Sequence, residues 1–107
     1  MSGFDDREKA YENKYAHDQE LEFKATARRN KLLGLWAAEL MGMSEAESLD
    51  YANAVVKADF EEAGHEDVFR KIRGDFDARG IEQSDHQIRH KMEQLLEDAR
   101  KQVREES

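Results

Sequence analysis

The chain has 107 residues, one domain's length, and sets 17 Lys and Arg against 25 Asp and Glu for a formal net charge of −8. Such an acidic domain lacks the basic surface that draws proteins to nucleic acid or anionic lipid, so neither is an expected partner. Cysteine is absent, which excludes disulfides, thiol catalysis and thiolate metal sites. No apolar run approaches the roughly 20 residues of a membrane helix, and the N-terminus lacks a signal peptide's apolar stretch. The sequence thus predicts a soluble, cytoplasmic protein without direct membrane insertion, a monomer when free.

Proline is absent, glycine occurs six times, and charged residues make up 39% of the chain against 38% apolar ones. With a mean hydropathy of −0.99, the chain can build one modest core. Helix formers dominate and no segment alternates with period two, so the fold class is all-α.

Residues 1–17 hold four acids, three bases and only Phe4, Tyr11 and Tyr15 as large apolar groups. This stretch buries too little to offset the entropy of ordering it, and reads as a mobile arm. A bundle of four helices is expected over 18–107. The first runs from about 18 to 41, with Leu21, Ala25, Leu33, Trp36 and Leu40 along one side, Phe23 on another, and Gly42 beyond its end. Ser44 to Glu47 form a capping box opening a second helix, 45–63, whose stripe is Leu49, Ala52, Val56, Phe60 and Ala63, with Gly64 closing it. A third helix, 66–79, turns Val68, Phe69, Ile72 and Phe76 inward and stops before Gly80. A second capping box, Ser84 to Gln87, opens the last helix, 85–105, with Ile88, Met92, Leu95, Ala99 and Val103 in register. The short connections fold consecutive helices back into a small four-helix bundle.

Charge concentrates on the second helix, where residues 44–63 carry six acids against the single Lys57. One functional reading follows from this, a helical adaptor docking a basic partner through its acidic second helix. Catalysis finds no support. His86 and His90 stand at i and i+4 without the carboxylate of an H-E-x-x-H pattern, and read as exposed helix residues rather than metal ligands. Glu61, Glu62, Glu66 and Asp67 crowd a polar turn rather than the apolar pocket that drives two carboxyl pKa values apart. No catalytic residue, metal or obligate cofactor is expected. Arg28, Arg29 and Lys31 near Trp36 define a second alternative, a weak ATP or ADP site with phosphates on the bases and the purine against indole.

The arm remains. Wound as a helix, it places Phe4, Tyr11 and Tyr15 within about 40° of one another on a wheel of 100° per residue, with Asp5, Lys9 and Glu12 opposite. That outline matches a helix-in-groove ligand. Each aromatic contributes on the order of 4 kcal/mol from about 150 Å² buried. Ordering about 15 residues costs roughly 1.5 kcal/mol each, so further contacts must help.

Several blocks resemble one small family. They are Phe4-Asp5-Asp6-Arg7-Glu8-Lys9-Ala10, His17-Asp18, Phe23-Lys24-Ala25, the run Ala27 to Ala38 (ARRNKLLGLWAA), and the run Asp59 to Ile72 (DFEEAGHEDVFRKI). Together they resemble the ζ subunit of the F1Fo-ATP synthase of α-proteobacteria, over nearly the whole chain. The resemblance implies a four-helix bundle whose N-terminal segment enters an interface between α and β subunits of F1 and blocks ATP hydrolysis. Carried onto this sequence, the inhibitory stretch is Phe4, Asp5, Asp6, Arg7, Glu8, Lys9, Tyr11, Lys14 and Tyr15. It also implies association with the cytoplasmic face of the inner membrane through F1.

Overall fold

Each described helix end is written into its local sequence. In the computed structural model, Gly42 and Gly80 adopt left-handed φ values of 73° and 68°. After Gly42, Met43 N–H donates to Ala38 O (3.0 Å), and after Gly80, Ile81 N–H donates to Phe76 O (2.9 Å). Both are the six-to-one bond of a Schellman stop, which satisfies helix carbonyls that otherwise lack partners. Both predicted capping boxes form. Glu47 N–H donates to Ser44 Oγ (3.2 Å) and Ser44 N–H to Glu47 Oε1 (3.1 Å); Ser84 and Gln87 repeat the exchange at 3.1 and 2.8 Å. These bonds hold the Glu47 carboxyl below its usual pKa.

The structure describes the backbone of residues 2–61 and 65–106 and the side chains of residues 18–60 and 66–106. Four helices result: α1 (Ser2–Leu40), α2 (Glu45–Glu61), α3 (His65–Arg79) and α4 (Asp85–Glu106), with no strand among the described residues. The fold class is all-α, as expected. The long α1 is the spine: α2 and α4 pack along it, while α3 touches all three other helices.

One difference from the sequence reading is the start of α1, expected near Asp18 and found at Ser2. Residues 2–17 contain no proline and are rich in Ala, Glu, Lys and Arg, so a helix already formed downstream extends through them without breaking. The reading of 1–17 as a mobile arm separate from the bundle concerns side chains outside the described residues, as do Ala63 and Gly64.

The main core joins Leu33 and Ala37 of α1, Val55 of α2, Val68, Phe69, Ile72 and Phe76 of α3, and Ile88 and Met92 of α4. A second seam between α1 and α4 consists of Ala25, Ala99 and Val103, flanked by Leu21 and Leu96. The α3 and α4 stripes match expectation. The α2 stripe does not: Ala52 is buried, but Val55 rather than Val56 is its fully buried partner, and Leu49 and Phe60 lie exposed. The cause lies on α1. Gly34 leaves room for α2 to approach so closely that Ala52 and Val55 sit against it, which rotates the larger side chains of α2 outward. On α1, Phe23 and Leu40 are likewise exposed.

Candidate functional site

The aromatic positions of the proposed arm, Phe4, Tyr11 and Tyr15, and the charged Asp5, Asp6, Arg7, Glu8, Lys9 and Lys14 between them, lie on the helical backbone of α1. Their side chains fall outside the described residues. What is described is the anchor behind them. Leu21 packs on the α1–α4 seam, and Arg100 of α4 donates to the Glu22 carboxylate at 2.6 and 3.1 Å. Arg28 forms a bidentate pair with Glu106, whose second bond measures 2.8 Å. These pairs raise both guanidinium pKa values, chiefly through the hydrogen bonds, and Arg28 lowers that of Glu106. The tail of α4 thus clamps α1 immediately after the stretch assigned to the arm.

The four residues of the nucleotide alternative are not gathered into one site. Arg28 and Lys31 line an open cleft of about 400 Å³ with Phe23, Lys24, Val56 and Glu106. Arg29 is only 2% exposed and lines a different cleft, of about 200 Å³, with Arg89, Met92, Glu93 and Leu96. Trp36 borders neither; it is half-buried and meets Phe76 edge-on at 5.7 Å, with the Lys91 ammonium 5.9 Å from its ring centre. It serves the core's edge.

Arg29 and Asn30 are the buried polar residues among those described. Arg29 Nε donates to Asn30 Oδ1 at 2.8 Å. Burial pushes the guanidinium pKa down and the Asp59 carboxylate opposes that shift. Asn30 Nδ2 has no hydrogen-bond partner among the described residues, and Asn30 lines a mostly apolar cavity of about 30 Å³ with Phe23, Val56, Asp59 and Phe60. Sequence reasoning assigns Arg29 to the nucleotide alternative rather than to the core. The wheel nonetheless contains the signal, because Arg29 falls between Trp36 and Leu40 on the apolar side of α1.

Exposed aromatics are the other feature that sequence reasoning misses. Phe23 (61% exposed) and Phe60 (64%) face each other across α1 and α2 with ring centres 5.9 Å apart, and Leu49 is 47% exposed. The acidic face of α2 shrinks in turn: Glu47 is engaged in its cap and Asp59 is half-buried beside Arg29. His86 and His90 stack with ring centres 6.4 Å apart on exposed turns of α4. Among the described residues no group of three or more His, Asp or Glu could hold a metal ion, and no helix is long and apolar enough to cross a membrane.

A long helical spine with three shorter helices packed along it defines a small all-α bundle protein. Comparison with known proteins specifies which kind. A model of the family described as ATPase inhibitor subunit zeta matches residues 1–102, and the chain belongs to that family. A protein whose structure was solved in solution by NMR is 52% identical, with a TM-score of 0.70, over 81% of this chain and 99% of its own. The comparison with curated proteins returned no match.

Proposed function

We propose that this chain is a non-enzymatic regulatory subunit that blocks ATP hydrolysis by F1 when its N-terminal stretch, Phe4 to Tyr15, enters an interface between α and β subunits. The observation that carries the reading is the family match across residues 1–102, which includes that stretch. The geometry supports it in one respect. Forming a helix from coil requires an unfavourable first turn, whereas adding turns to an existing helix does not. Since α1 is held by α4 at Leu21, Glu22 and Ala25, the stretch before it can wind onto a nucleus the body has already formed. That lowers the ordering cost, and body contacts near the interface would add effective concentration. Binding to F1 would place the protein at the cytoplasmic face of the inner membrane without its entering the bilayer. Neither a cofactor nor bound ATP or ADP is required.

The test is ATP hydrolysis by isolated F1 with the full chain, a Phe4→Ala/Tyr11→Ala variant and an Ala10→Pro variant. The first variant removes the anchors; the second breaks the helix at a cost of about 3 kcal/mol. Both should weaken inhibition at least about tenfold, since interface energy concentrates in a few aromatic anchors. Undiminished inhibition by both would refute the arm mechanism, and none by the full chain would refute the inhibitor reading.

A further inference from the structure

The face between α1 and α2 carries apolar groups the fold leaves in solvent. Leu49, Val56 and Phe60 follow one another at seven and four residues, so they share one stripe of α2. Leu49 and Phe60 are exposed, and Phe23 of α1 stands beside Phe60, also exposed. Two touching exposed aromatics, with half-buried Val56 beside them, mark an interaction surface as single scattered apolar groups do not. The adjoining 400 Å³ cleft runs from Phe23 and Val56 past Lys24, Arg28 and Lys31. Its one lining carboxylate, Glu106, is bound by Arg28. Lys24 pairs with Glu20 at 3.3 Å, an exposed pair that a partner carboxylate can replace, so on a protein of net charge −8 the cleft keeps a modest excess of basic groups beside an apolar stripe. Its occupant must offer apolar side chains to the stripe and carboxylates to Lys24 and Lys31. An amphipathic helix with an acidic flank supplies both at the required spacing.

We infer that the face centred on Phe23 and Phe60 docks an acidic amphipathic helix of the F1 sector. The inference rests on the proposed function for the identity of the partner, and uses a surface separate from the N-terminal stretch. The aromatics supply the anchors. Lys24 and Lys31 steer the encounter and fix register.

The experiment uses the full chain and F1 isolated from the same source, and measures binding kinetics at low and high salt. Phe23→Ser/Phe60→Ser, a surface change expected to keep the fold while lowering the melting temperature by a few degrees, should weaken binding at least about tenfold at a temperature where both proteins are folded. Lys24→Glu/Lys31→Glu should slow association several-fold, with the difference shrinking as salt rises. A photo-crosslinker at Asn53, an exposed residue lining the cleft, should capture an acid-rich helix of F1. Wild-type affinity in the aromatic variant would overturn the proposal, as would a salt-independent charge variant or a crosslink to an acid-poor segment or a second copy of this chain. Full binding by Phe23→Ser/Phe60→Ser alongside lost inhibition by Phe4→Ala/Tyr11→Ala would overturn the docking face and spare the arm. The opposite pattern would support the face while removing the arm.

Discussion

Two glycines inside helices should respond to alanine with opposite sign. A Cβ at Gly34 would lie 2.6 Å from Ala52 Cα and 3.2 Å from both Ala52 Cβ and Val55 Cγ2. The nearest of these is backbone, which no rotamer change can move, so α2 itself must shift. A Cβ at Gly74 of α3 would meet nothing within 4 Å. Replacing a mid-helix glycine by alanine contributes about 0.5–1 kcal/mol through the unfolded chain's lost freedom. At Gly74 that gain stands alone. At Gly34 it is opposed by overpacking of about 1–3 kcal/mol, for a net loss of about 1–2 kcal/mol. At about 4–8 °C per kcal/mol for a domain of this size, Gly34→Ala should lower the melting temperature by about 5–15 °C while Gly74→Ala raises it by a few degrees. Circular dichroism melts and urea titrations of the two variants measure this directly. Equal stabilisation of both would mean that α1 and α2 do not approach at Gly34, and the account of α2's rotation would fall with that contact.

Trp36→Ala should cost roughly 3 kcal/mol, the low end for an aromatic because the ring is half-buried, visible as an earlier urea midpoint; a variant of unchanged stability would remove Trp36 from the core. The carboxyls of Glu66 and Glu106 have folded pKa values lowered mainly by hydrogen bonds from Arg89 and Arg28. Their contribution is therefore present above the unfolded value of about 4.3 and lost as pH falls through the lower folded value. Urea midpoints should decline between about pH 5 and pH 3, and Glu66→Gln/Glu106→Gln should flatten that decline slightly, since both groups are exposed and screened; an unchanged slope would show that the pairs do not form in solution.

Features set by neighbours along the chain are legible in the residues themselves. The Ser44 and Ser84 boxes, the stops at Gly42 and Gly80, and the α4 stripe Ile88, Met92, Ala99 and Val103 depend on residues within a few turns of one another. So does the all-α class, from the absence of proline and of period-two runs. The α2 face is not legible, because hydrophobic size suggests Leu49, Val56 and Phe60 as the inward stripe. The deciding contact joins Gly34 to Ala52, where small residues let backbones meet and large ones are turned away. Arg29 escapes for a related reason: its charge argues for solvent, while its wheel position argues for the interior. The Asp59 carboxylate that favours its charged form lies one helix away, and no local pattern reveals it.

These long-range details connect the body to the stretch before it. The α1 helix is packed on both sides at Gly34 and Leu33, whereas around Leu21 and Ala25 its buried seam is with α4 and its contact with α2 is the exposed Phe23–Phe60 pair. There the apolar contribution comes from a smaller cluster, Ala25, Ala99 and Val103 with Leu21 and Leu96, and the exposed pairs Glu22–Arg100 and Arg28–Glu106 secure the seam's edges. Such pairs contribute little each, so the described turns of α1 around Leu21 are held more weakly than its middle. That gradient is what a helix-in-groove ligand attached to a folded body requires. The body holds the helix from Leu21 onward, and the stretch proposed to enter the groove continues from that held turn. A helix packed equally tightly along its whole length would have to break core contacts before entering any groove, and a wholly detached segment would have to nucleate its helix anew.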